Sequence, residues 1–168
     1  MPDPRTRRLS WPERQLERFA ASRPGGWFFV NVGNRIDPTL LRLSRGHLST
    51  GLGQPVLLLT HRGARSGRER STPLLYATDG DGLVLIASKA GSRAHPSWYH
   101  NLRAHPRVKV LAPGRSGDYV AREAEGTERG RLWEKAVDLY SGYDIYQGRA
   151  GARRIPVIVL SPAGFDRA

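Results

Sequence analysis

Cysteine is absent from the 168 residues. That removes disulfides, thiolate ligands and cysteine nucleophiles from consideration. Long apolar runs are missing too; none approaches the roughly 20 residues needed to span a bilayer. The opening MPDPRTRRLSWPERQ has no apolar stretch of the kind a secretory leader carries, so a cytoplasmic protein is expected. Lysine is scarce: Lys89, Lys109 and Lys135 are the only ones among 27 basic residues. Several catalytic signatures are also lacking. There is no HExxH, no GxxxxGK[ST] phosphate loop, no GxSxG elbow and no GxGxxG fingerprint. His95, His100 and His105 recur every five residues, which does not share a helical face, and no metal site is expected.

What the chain does have is positive charge, +12 from 27 Lys+Arg against 15 Asp+Glu. Such a surface attracts polyanions: nucleic acid, anionic lipid or an acidic ligand. The charge is spread along the chain instead of collected in a tail, which speaks weakly for nucleic acid.

In chain order, Ser10 and Glu13 have capping-box spacing ahead of a helix over about Trp11–Ser22. This arginine-flanked helix either packs on its own domain or rests on a membrane surface. Pro24-Gly25-Gly26 breaks the chain before the apolar Trp27–Val32. Asp37-Pro38 reads as N-cap and first residue of a short helix, and residues 46–54 as a loop. Strands are expected over about Pro55–His61, Arg70–Ala77, Leu83–Ser88, Val108–Ala112, Asp118–Glu125 and Pro156–Leu160. Asp79-Gly80-Asp81-Gly82 is a hairpin signal that pairs the second strand with the third. Helices are expected over Ser97–Ala104 and about Thr127–Tyr140. The fold class is mainly β with helices, a barrel of about six antiparallel strands. Residues 1–45 form an N-terminal helical arm and 46–168 the main domain.

Two links between strands carry donors suited to an anion. The first holds Gly63, Arg65, Ser66, Gly67 and Arg70; the second holds Ser88, Lys89 and Gly91. Taken singly, either is also an ordinary basic surface turn. Tyr140, Tyr143 and Tyr146 recur every third residue, which on helical backbone lines three rings along one side. Beside a pocket they could sandwich a flat substrate and donate a proton; ordinary packing explains the same pattern.

The blocks THRGARSGRERSTPLLY, ASKAGSRAHPSWYHNLRAHPRVKV, LYSGYDIYQ and RIPVIVLSP, in this order, resemble the deazaflavin-dependent nitroreductase and quinone reductase family, over about Leu43 to Pro162. The resemblance implies a split β-barrel related to FMN-binding split barrels, and reduced coenzyme F420 as hydride donor. By residue, it implies that Ala64, Arg65, Ser66 and Arg70 meet the phosphate and oligoglutamate tail. Ser71, Thr72, Pro73, Leu74 and Leu75 lie on the strand along the deazaflavin ring. Ile86, Ala87, Ser88 and Lys89 form the second anion turn. Ser97, Trp98, Tyr99, His100 and Asn101 form the helix start over the coenzyme. Tyr140, Tyr143, Tyr146 and Ser88 are the implied catalytic, pocket-lining residues, with Tyr140 also near the coenzyme. Ala64 and Arg65 depart from the basic residue and lysine common at those positions, which implies weaker tail contacts.

The acceptor implied is a small molecule, a quinone, nitroaromatic or enone-like compound. Two other readings stay open: an FMN-binding split-barrel oxidoreductase, and a non-catalytic basic module for nucleic acid or anionic membrane. Neither a specific nucleic-acid partner nor an oligomeric state is indicated.

Overall fold

The computed structural model describes residues 34–44 and 54–164. The expected helix over Trp11–Ser22 with its membrane contact, the segment Trp27–Val32 and the loop up to residue 53 lie outside the described residues.

The elements, in order, are α1 (Asn34–Leu43), β1 (Val56–Arg62), β2 (Glu69–Leu75), β3 (Ala77–Asp79), β4 (Gly82–Ile86), a 3-10 turn (Lys89–Gly91) and α2 (Ser97–Ala104). There follow β5 (Arg107–Leu111), β6 (Gly117–Glu123), α3 (Gly126–Leu139), α4 (Gly142–Arg149) and β7 (Val157–Pro162). The strands form one sheet in the order β2-β1-β5-β6-β7-β4-β3, and every neighbouring pair is antiparallel.

Side-chain periodicity explains how the sheet is covered. Along β5, Val108 and Val110 point inward while Arg107 and Lys109 face solvent, the alternation of a half-buried strand. The apolar runs of β4 and β7 are buried on both faces. On one face Leu57, Leu59, Leu83, Leu85, Ile158 and Leu160 pack with Trp98, Tyr99 and Leu102 of α2. On the other, Val84, Ile86, Val157 and Val159 pack with Leu132 and Ala136 of α3 and with the three tyrosines. A smaller cluster seats Leu41 of α1 on Val56 and Leu58.

Three expectations change. The strand expected over Arg70–Ala77 is two strands, because the chain changes partner at Tyr76. Its first part pairs with β1, and only the short β3 pairs with β4 across the expected hairpin. This raises the count to seven. Helix α1 begins at Asn34, so Pro38 lies inside it, not at its start. A proline this near the N-terminus removes one backbone bond, a cost an early turn tolerates better than a helix middle. Pro73 falls on an edge strand of the sheet, where its missing N–H disturbs least.

Candidate functional site

The first basic turn, between β1 and β2, is closed by Gly63 N–H to Arg68 O and Gly67 N–H to Gly63 O, both 2.8 Å. Gly67 has φ +65°, which favours glycine, and a Cβ at Gly63 would stand 2.6 Å from Ser66 Oγ, a contact the serine can relieve by rotating. Beneath the turn runs a buried polar chain. Ala64 N–H donates to Asn101 Oδ1 (2.8 Å), and Asn101 Nδ2 meets His61 Nδ1 (3.1 Å). An amide nitrogen only donates, so His61 Nδ1 accepts and its proton sits on Nε2, which donates to Thr72 Oγ1 at 3.1 Å. Burial, with the charge of Arg70 second, lowers the His61 pKa to about 4, so the ring is neutral. Outward, Arg65, Ser66, Arg68 and Arg70 are exposed, and none of these arginines forms an ion pair among the described residues.

The second turn follows β4. Lys89 (φ 48°), Ala90 (φ 52°) and Gly91 (φ 78°) are successively left-handed, a conformation that costs of order 1 kcal/mol or more at each non-glycine residue. Tertiary contacts hold it there. Gly91 lies against α4, where a Cβ would come 2.8 Å from both Tyr146 O and Arg149 Cβ. Arg153, from the loop before β7, donates to the carbonyls of Ala87 (3.1 Å), Ser88 (2.7 Å) and Ser92 (2.8 Å). Lys89 is exposed and forms no ion pair among the described residues.

Helix α2 links the turns. Asn101 reaches the first, and its approach through His95, which contacts the Tyr99 ring at 4.7 Å, meets Arg153 under the second. Of the residues expected over a coenzyme, Ser97 and His100 are exposed, whereas Trp98, Tyr99 and Asn101 are buried. Trp98 and Tyr99 belong to the core, with Tyr99 OH donating to Glu123 at 2.8 Å. Asn101 bonds Ala64 and His61, so its side chain braces the turn.

On β2, Pro73, Leu74 and Leu75 are half-buried along the sheet edge. The Ser71 hydroxyl is engaged with Arg42 and Thr60, and that of Thr72 with His61. The side chains of Ile86 and Ala87 are buried.

The tyrosines do gather, but not along one helix. Tyr140 caps α3 in extended conformation (φ −146°), and Tyr143 and Tyr146 belong to α4. The break folds their rings together, with centroids 5.2 to 6.4 Å apart. Each is 6% exposed. Tyr140 and Tyr146 share a hydroxyl–hydroxyl bond of 3.1 Å. Burial raises the Tyr143 pKa above its ordinary value. Gly142 permits the cluster, since a Cβ there would overlap the Tyr140 ring. The turn carrying Ser88 packs on this helix through Gly91.

Sequence reasoning missed Arg153 and His61. Both act across 11 to 66 positions of chain, with no local spacing to reveal them. A polar cleft lined by Glu123, Glu125, Arg129, Arg154 and Ile155 lies at the start of α3 and shares no residue with either turn.

The family model described as F420H(2)-dependent quinone reductase matches residues 34–162. A Mycobacterium tuberculosis protein named F420H(2)-dependent quinone reductase is 39% identical over 120 residues, spanning 69% of this chain and 78% of that one. The solved structure of an F420-H2 dependent reductase is 40% identical, with TM-score 0.59, covering 64% of this chain and 94% of that one. A second, described as a domain-swapped dimer, is 36% identical, with TM-score 0.61, covering 74% and 94%.

Proposed function

The chain belongs to the F420H(2)-dependent quinone reductase family, and on that premise we propose that its two cationic turns hold the anionic part of the coenzyme while the tyrosine cluster receives the acceptor. The fold is accordingly a split β-barrel, the enzyme an oxidoreductase and reduced F420 its hydride donor. When bound, the coenzyme supplies the hydride.

The observation that carries the site is the pairing of each turn with uncommitted cations. Arg65, Arg68, Arg70 and Lys89 have no carboxylate partner among the described residues. The amides of Arg65, Ser66, Lys89 and Ala90 are likewise not consumed by backbone hydrogen bonds of the described turns. Such donors fit a phosphate and a polycarboxylate tail. The ring would lie along the half-buried Pro73–Leu75 edge, an apolar strand that pairs on one side among the described residues.

On the acceptor side, Tyr140 and Tyr146 share a hydroxyl–hydroxyl bond, and we assign to Tyr143, the third ring of the cluster, the hydrogen bond to the oxygen that gains charge. Its raised pKa keeps the proton on the phenol at neutral pH. A quinone suits this arrangement, being flat and bearing two such oxygens; nitroaromatic and enone-like acceptors share the geometry. Tyr143→Phe is expected to lower turnover several-fold with F420 affinity unchanged, and equal turnover would remove it from the reaction.

The placement is tested by titrating the protein with F420 and, in parallel, with FMN, following ligand fluorescence. Saturable F420 binding with little FMN binding is the expected result. Preference for FMN would overturn the reading.

A further inference from the structure

We propose that Arg153 is the positioning residue of the second turn: it gathers the turn's carbonyls on one side and so holds its amide side toward the anion. This rests on the coenzyme placement above and adds to it a residue that does not touch the ligand.

Four of the five guanidinium donors can be accounted for in the geometry. Nε donates to Ser92 O (2.8 Å), Nη1 to Ala87 O (3.1 Å) and Nη2 to Ser88 O (2.7 Å). Nη1 also meets His95 Nδ1 at 3.2 Å; a guanidinium only donates, so that ring nitrogen accepts. The side chain is thus occupied by protein and half-buried, while Lys89 on the turn is exposed. Division of labour follows: Lys89 meets the ligand and Arg153 shapes the loop.

The loop needs shaping. Left-handed backbone at Lys89 and Ala90 is unfavourable unless the surroundings over-determine it. Internally the turn has only Gly91 N–H to Ser88 O (3.1 Å) and Ser92 N–H to Lys89 O (3.0 Å). Gly91 against α4 fixes one side, and Arg153 fixes the carbonyls flanking the other. Drawing three carbonyl oxygens to one cation withdraws their negative ends from the face where an anion would sit. Successive left-handed residues then present their N–H groups there.

The planar fork matters, because one ammonium cannot reach three carbonyls in this geometry. The experiment compares wild type, Arg153→Lys, Arg153→Met and Lys89→Ala by F420 titration and by backbone amide exchange, with circular dichroism to confirm folding. Arg153→Lys and Arg153→Met are expected to weaken F420 binding by about tenfold. In both, the hydrogen-bonded amides of Gly91 and Ser92 should exchange faster while those of α2 and β7 keep their rates. Should Arg153→Met fail to fold, Arg153→Lys decides. Wild-type affinity in Arg153→Lys would overturn the proposal, as would an affinity loss with unaltered exchange at Gly91 and Ser92. If Lys89→Ala leaves affinity unchanged, the coenzyme placement fails and this proposal with it. If Lys89→Ala weakens binding and Arg153→Lys does not, the proposal alone fails.

Discussion

Two basic regions of this molecule look alike in composition and differ in what their charges face. On and beside α3, three cations are answered by carboxylates. Arg131 grips Asp79 with both terminal nitrogens (2.7 and 2.8 Å), Lys135 adds a third bond at 3.0 Å, and Arg122 pairs in the same two-pronged way with Glu128. Around the two turns, Arg65, Arg68, Arg70 and Lys89 face no carboxylate among the described residues. Net charge of +12 does not separate these cases; pairing does. Charges answered within the fold contribute modestly to its stability. Charges left unanswered and crowded onto one pair of loops cost some self-repulsion, and the return is affinity for an anion.

The regions should respond to acid in different ranges, and this is the largest expected effect. Under the first turn, neutral His61 has a folded pKa of about 4 against 6.5 when unfolded. The unfolded chain therefore takes up a proton first as pH falls. Stability held above pH 6.5 declines down to about pH 4, by up to about 3 kcal/mol. His95, also lowered by burial, adds to the decline with the same sign. Asp79 is held well below the usual carboxylate range, by its bonds from Arg131 and then Lys135, so the α3 region gives way only at stronger acid. Denaturant unfolding of wild type and His61→Gln at pH 7 and pH 4.5 measures this. The variant should lose much less stability between the two; an equal loss would show that His61 is not the responding group.

How much of this was legible in the sequence follows the range of each interaction. Helix α2 was readable to the residue because its start and stop are local: Pro96 before it and Pro106 after it. The Asp79–Gly82 hairpin was readable for the same reason. The partner change at Tyr76 was not, since it depends on β1 competing for Arg70–Leu75 from another part of the chain. In the candidate site, the exposed donors of both turns stood out by residue type. Their supports did not: the motif marks Asn101 as part of the helix start over the coenzyme, but not its bonds to Ala64 and His61 across 37 and 40 positions of chain. The tyrosine spacing pointed to proximity for a mistaken reason, as the rings meet across a helix break that Gly142 makes possible.

The next effect in size separates the regions by affinity. Arg65→Ala and Lys89→Ala should each weaken F420 binding by about tenfold or more. Their melting temperatures should stay at the wild-type value, since both side chains are exposed and unpaired among the described residues. Fluorescence titration and thermal unfolding on the same samples give both readings. A variant that melts earlier but binds normally would place its side chain with the structural cations and break the division.

The smallest effect is the converse, Asp79→Asn. The substitution keeps the hairpin's size and shape but removes the charge that Arg131 and Lys135 share. Those cations are 56% and 41% exposed in their side chains, so water and salt already screen much of the attraction. The melting temperature should fall by no more than about 3 °C, and the difference should shrink as salt is added. F420 affinity should not change, because the neutralised carboxylate lies on the α3 side of the molecule, in contact with neither turn. Freed of its partner, Arg131 would become one more unanswered cation, but on a helix and without the amides that accompany the turns. If affinity for F420 nevertheless rose, unpaired charge alone would suffice to draw the coenzyme, and the geometry of the turns would matter less than the number of cations near them. Unchanged affinity with a small, salt-sensitive loss of stability is what the pairing of these charges requires.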